Sequence, residues 1–236
     1  MGEITSEKTT VQVGDGTRMG AYCARPQGGG RRPGVLVLQE AFGVNAHIRD
    51  VADRLAREGF VALAPELFHR TAPGFEGPYD FAAVAPHYQA VTVETLSADL
   101  LAAHAWLLER GGVPAGETAA IGFCMGGRAA FLADALLPLR VAVSFYGAGI
   151  APSLLDRAPK LSGPLLLVWG GRDKHIPPEQ IAAVTSALSA AGKAYVNAEF
   201  SEADHAFFND DRPSFHPAAA AQAWALALQF LKSRVE

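Results

Sequence analysis

From Gly34 onward the apolar residues fall in short solid runs separated by longer stretches of mixed polarity. GVLVL (34–38), FVALA (60–64), TAAIGF (118–123), VAVSFY (141–146), LLLVWG (165–170) and YVNAEF (195–200) are apolar on both faces, which predicts central strands of a mostly parallel sheet. Ahead of them, TTVQV and RMGAYCA flank Gly14-Asp15-Gly16, whose residues tolerate a tight turn. That segment predicts an antiparallel hairpin at the N-terminal edge of the sheet.

Between the runs the period changes to that of helices. In His47–Glu58, Ile48, Val51, Ala52 and Leu55 share one face, Asn45 is placed to cap and Gly59 to end the turn. Further helices are predicted near 91–110, 125–136, 178–191 and 217–232, the last with a stripe of Ala220, Trp224, Leu228 and Leu231. Alternating strands and helices predict a doubly wound α/β sheet with helices on both faces, a single domain over 1–236. The stretch Pro65–Pro86, rich in Gly, Pro and aromatics, reads as a long loop. Its Phe75, Tyr79 and Phe81, with Tyr88, form either a substrate lid or the small core of that loop.

Composition narrows the function. Half the residues are hydrophobic and 19% charged, and the net charge is -4, so the basic excess of a nucleic-acid binder is missing. Two distant cysteines, Cys23 and Cys124, make no disulfide scaffold and point to a reducing cytoplasm. The N-terminus is polar where a signal peptide is apolar, and Met1, Gly2 and Ser6 match an acylation pattern only by chance. The longest uncharged apolar stretch, Pro217–Leu231, is shorter than the roughly 20 residues of a membrane span, so no membrane partner is expected. His47, His69, His87, His104, His175 and His216 form no HExxH pair, and neither a Walker loop nor G-x-G-x-x-G is present. No metal or cofactor is expected.

The chemistry concentrates where one strand run gives way to a helix, at Gly122-Phe123-Cys124-Met125-Gly126-Gly127. Gly-x-Cys-x-Gly is the nucleophile-elbow frame with cysteine in the serine position: an abrupt strand-to-helix turn leaves no room for side chains two residues either side. The helix N-terminus behind Cys124 favours a thiolate and an oxyanion. In the chain order of this fold, an acid and then a histidine follow. Asp173 stands after LLLVWG and His205 after YVNAEF, so both sit at the carboxyl ends of parallel strands. His205 is the candidate base and acid, and Asp173 the carboxylate that orients it, with Asp204 as its competitor. Glu40 ends the GVLVL run, where a carboxylate near the thiol could take its proton or hold it neutral.

Glu40, the elbow, Gly171-x-Asp173 and Ala203-Asp204-His205-x-Phe207, in that order over nearly the whole chain, resemble the dienelactone hydrolase family of the α/β-hydrolase superfamily. The resemblance implies Cys124 as nucleophile, Asp173 and His205 completing the triad, Glu40 as a switch carboxylate, and the N–H groups of Met125 and Ala41 as the oxyanion hole. It also implies a cofactor-free, often monomeric hydrolase of lactones or activated esters. Family members that open dienelactone clamp its carboxylate with arginines, one shortly after the histidine; here His205-Ala206-Phe207-Phe208-Asn209 has none before Arg212. Either Arg70 or Arg212 supplies the charge, or the site is apolar, lined by Phe42, Tyr88, Tyr146 and Phe207. A redox-responsive thiol or ligand-binding protein, and an acyltransferase, are the alternatives on the same scaffold.

Overall fold

The structure, a computed structural model, describes residues 2–235. Met1 of the acylation-like pattern, and both ends of the expected 1–236 domain, lie outside that range. Eight strands form one sheet in the order β1-β2-β4-β3-β5-β6-β7-β8. Contacts group the chain into two compact units, residues 1–119 and 120–236.

In the first unit, β1 (Ile4–Gln12) and β2 (Arg18–Pro26) pair antiparallel from Ile4↔Pro26 to Gln12↔Arg18, as the alternating pattern predicts. Their turn is closed by the Asp15 carboxylate, which accepts from the Thr17 N–H and hydroxyl, and by Gly16 at φ +88°. β2 then pairs antiparallel with β4 (Val61–Pro65), which runs parallel to β3 (Gly34–Leu38). Every residue of β3 and β4 is buried, the reason both read as unbroken apolar runs.

Helix α1 (Ala46–Arg57) starts where the Asn45 side chain accepts from the Ile48 N–H and buries Ile48, Val51, Ala52 and Leu55. Gly59 follows at φ +104°. Pro65–Pro86 is not all loop: Phe81–Ala90 is a helix, α2, capped by Asp80. It escapes sequence periodicity because only Val84 is buried and Pro86 stands inside it. α3 (Val93–Glu109) begins with a Thr92/Thr95 capping box, and its buried His104 bonds the Thr118 hydroxyl at 3.1 Å, a structural role.

β5 (Thr118–Phe123) leads into the second unit, where α4 (Met125–Leu136), β6 (Val141–Phe145) and a short helix α5 (Ile150–Ser153) follow. A 3-10 turn over Leu155–Lys160 precedes β7 (Leu165–Gly170), α6 (Pro178–Ala190), β8 (Tyr195–Phe200) and α7 (Pro217–Val235). β6, β7 and β8 run parallel. Two expectations are corrected here. β8 is an edge strand with Val196, Asn197 and Glu199 exposed, because an apolar run carries no record of which neighbour covers it. The stripe of α7 is Ala220, Ala223, Ala227, Phe230 and Leu231; Trp224 and Leu228 sit half-buried at its margin. A four-residue step drifts off one face of a 3.6-residue helix, and the small alanines carry the buried face instead.

Candidate active site

The turn from β5 into α4 is the most constrained point of the second unit. Cys124 sits between strand and helix at φ +55°, ψ -113°, a conformation that costs a non-glycine residue about 1–3 kcal/mol. Its N–H donates to the Phe145 carbonyl at 3.0 Å, tying the elbow to the end of β6. A Cβ on Gly122 would lie 1.9 Å from the Gly126 carbonyl oxygen, and one on Gly127 2.5 Å from that of Phe145. Both positions therefore admit only glycine; Gly122 is the first glycine of the frame seen in the sequence, and Gly127 lies just beyond its second.

The exits of β7 and β8 approach each other for a similar reason. A Cβ on Gly170 would meet the Ala203 and Asp204 carbonyl oxygens at 2.7 Å, and one on Gly171 the Ser201 Cα at 2.7 Å. With both residues bare, the Arg172 N–H reaches the Ala203 carbonyl at 2.9 Å, and the two loops lie side by side. Asp173 Oδ2 then stands 2.6 Å from His205 Nδ1, while Oδ1 accepts from the His175 N–H at 2.7 Å. Asp204, the competing carboxylate, accepts instead from the His205 backbone N–H at 2.8 Å.

His205 also hydrogen-bonds Cys124. Burial presses its imidazole toward the neutral form, but the bonds to Asp173 and Cys124 and the charges of both outweigh it, pushing the pKa from 6.5 to about 10. The Tyr146 ring packs 5.1 Å from that of His205 and 5.7 Å from that of Phe207, itself fully buried. Among the described residues, the non-glycine positions with positive φ are Cys124, Tyr146 and Ala206. All three lie at this site, the elbow, the exit of β6 and the residue after His205.

Of the remaining candidates, Met125 opens α4 and Arg212 lies half-buried after β8, its backbone N–H donating to the Asn209 carbonyl at 3.1 Å; the others belong to the first unit. Glu40 follows β3 and is 1% exposed, its backbone carbonyl accepting from Gln39 Nε2 at 3.1 Å. Ala41, Phe42 and Val84 form a small cluster against which Phe75, Tyr79 and Tyr88 pack, while Phe81 stays exposed. Those loop aromatics thus build a local core. Arg70 makes paired bonds of 2.8–2.9 Å to the buried Asp99 and of 2.6–2.8 Å to Asp15, so its guanidinium is already matched by two carboxylates. Sequence reasoning weighed His175 only as a metal ligand; its signal is its place two residues after Asp173, the spacing at which an aspartate accepts a local backbone N–H. Among the described residues no three His, Cys, Asp or Glu side chains are grouped to hold a metal, and no helix is long and apolar enough to cross a membrane.

Comparison with known proteins places the chain in a family. The model of the dienelactone hydrolase family matches residues 19–235. A Synechocystis protein named "Putative carboxymethylenebutenolidase" is 36% identical over 230 residues, covering 93% of each chain. A Bradyrhizobium protein named "Probable 2-oxo-3-(5-oxofuran-2-ylidene)propanoate lactonase" is 33% identical over 90% of this chain and 88% of its own. Among solved structures, a Klebsiella pneumoniae protein named "Putative Dienelactone Hydrolase" superposes with a TM-score of 0.90 at 35% identity, covering 98% of this chain and 99% of that one. The architecture is the α/β-hydrolase fold, mostly parallel with an antiparallel N-terminal edge. The chain belongs to the dienelactone hydrolase family and is a hydrolase of carboxylic esters or lactones.

Proposed function

We propose that this one-domain enzyme cleaves its small-molecule substrate through a thioacyl intermediate on Cys124, with His205 and Asp173 completing the triad. The observation that carries this reading is the continuous hydrogen-bonded row from Cys124 through His205 to Asp173. An imidazole that holds its proton up to about pH 10 stands as an imidazolium beside Cys124 at neutral pH, placed to give that proton to a leaving group.

The thiolate attacks the carbonyl carbon, and the electron pair moves to the carbonyl oxygen. Backbone N–H groups of Met125 and Ala41 are the proposed donors to that oxyanion, each contributing about 3 kcal/mol. Collapse breaks the C–O bond, and His205 gives its proton to the departing alkoxide, which in a lactone stays tethered to the acyl group. Water then attacks the thioester, His205 takes its proton, and the acid leaves with Cys124 restored as thiolate. Glu40 serves as the carboxylate that sets the charge state of Cys124 before substrate arrives. Arg70 is matched by Asp15 and Asp99, which leaves Arg212 as the arginine that could meet a substrate carboxylate; without it the site favours uncharged esters and lactones, with Phe42, Tyr88, Tyr146 and Phe207 as its apolar wall. Free Cys23 and Cys124 fit a reducing, cytoplasmic setting.

The test is hydrolysis of a neutral activated ester, a neutral lactone and a carboxylate-bearing enol lactone by wild type and Cys124→Ala. Loss of turnover in the variant, with an acyl adduct trapped on Cys124 of the wild type, is the expected result. A variant as fast as wild type would sink the reading.

A further inference from the structure

We infer that His175 is a positioning residue: its ring holds the His205 imidazole in the rotation that faces Cys124 and screens the Asp173–His205 bond from water. The inference rests on the triad reading above and adds a residue to it.

His205 is fixed within the plane of its ring by two bonds, to Asp173 and to Cys124. In-plane bonds alone leave the ring free to rock about them, so the flanking groups decide how sharply it is aimed. Two rings flank it. Tyr146, fully buried, lies at 5.1 Å with an interplanar angle of 58°. His175 lies at 5.0 Å with an angle of 69°, an edge-to-face contact, on an exposed loop. The first is wall; the second is cover.

The same carboxylate places both histidines. Asp173 Oδ2 bonds the His205 ring and Oδ1 accepts from the His175 backbone N–H at 2.7 Å, so the backbone of His175 is held by a bond that truncation of its side chain leaves intact. The titratable or charged groups facing His205 are Asp173 and His175 from the β7 exit, Cys124 from the elbow and Tyr146 from the β6 exit, with Asp204 bonded to its backbone. Removal of the His175 ring lets water reach the Asp173–His205 bond. The imidazolium is then held less firmly and aimed less sharply at Cys124, whose sulfur reacts more slowly near neutral pH.

The test compares wild type, His175→Ala and His175→Phe by two readouts, the rate of Cys124 alkylation by iodoacetamide between pH 5.5 and 9, located by peptide mass spectrometry, and kcat and KM on a neutral activated ester. His175→Ala should slow alkylation at pH 7 by about three- to tenfold and lower kcat by a similar factor with KM unchanged. His175→Phe, an edge-to-face ring without ionisable nitrogens, should restore both. Unchanged alkylation in His175→Ala overturns the inference, as does a His175→Phe variant as slow as His175→Ala. A rise in KM alone would make His175 a substrate contact and overturns it too. If Cys124 of the wild type alkylates no faster than glutathione while Cys124→Ala keeps activity, the triad reading itself falls and takes this inference with it.

Discussion

His205 Nδ1 and Asp173 Oδ2 are 2.6 Å apart, a charge-assisted bond between loops that two bare glycines, Gly170 and Gly171, allow to meet. Asp204, next in sequence to His205, takes only a backbone N–H. This relationship separates two carboxylates that sequence alone leaves in competition. Asp173→Asn should therefore lower kcat/KM on an activated ester by roughly a hundredfold or more, since an amide neither fixes the tautomer nor stabilises the imidazolium. Asp204→Asn, which keeps an acceptor for the His205 N–H, should stay within about threefold of wild type. The two variants assayed side by side check the assignment.

The charge on His205 sets a pH profile. Its pKa, raised to about 10, keeps through the neutral range the imidazolium that the proposed mechanism uses to protonate the leaving group. kcat/KM for a neutral ester should hold level from about pH 7 to 9 and fall only as pH approaches 10. Bonding to Asp173 is foremost among the influences that raise this pKa, so Asp173→Asn should bring the alkaline fall to lower pH. An unchanged limb in that variant would show that Asp173 does not hold the proton.

Much of this was written in the chain, and what was not is tertiary in origin. β3, β5 and β7 begin and end where their apolar runs do, because a strand buried on both faces admits no polar interruption. The elbow was legible because sterics at Gly122, the first glycine of its frame, leave one residue type. α2 was not, since with Val84 alone buried it has no apolar face to repeat. β8 read as central because exposure of an edge depends on a neighbour that is missing, not on its own residues. Arg70 looked available for a substrate because its partners, Asp15 and Asp99, lie 55 and 29 positions away. His175 was weighed only as a metal ligand, because its ring contact with His205 joins the exits of two different strands.

The Arg70 network should matter to stability far more than to chemistry. Asp99 is fully buried, and burial drives its carboxyl pKa up even with Arg70 and His69 nearby. Arg70→Ala strips that carboxylate of its paired donors and should cost about 3 kcal/mol by chemical denaturation at pH 7. Adding Asp99→Asn should recover part of the loss, because the uncompensated charge is gone. Activity per folded molecule should stay near wild type in both. A specific loss of turnover without loss of stability would return Arg70 to the site.

Asp134 supplies a pH-dependent element on the same helix that begins after Cys124. It is fully buried on α4; its Oδ1 accepts from the Gly163 N–H at 2.9 Å, and Oδ2 has no partner among the described residues. Burial raises its pKa from 3.8 to about 7 against the bonds from Gly163 and Ser162 and the charge of Lys193. The sign follows from which state holds the proton. Between pH 3.8 and 7 the folded protein keeps it and the unfolded chain releases it, so stability falls as pH rises through that window and levels off above it. Asp134→Asn cannot ionise and retains an acceptor for Gly163. Relative to this variant, wild type should lose up to roughly 4 kcal/mol between pH 4 and pH 8, which makes the variant the more stable protein at pH 8. Urea denaturation of both at the two pH values measures the difference. A gap that does not change with pH would mean that Asp134 keeps the same protonation state in both forms, and that the α4 helix end is insensitive to pH across this range.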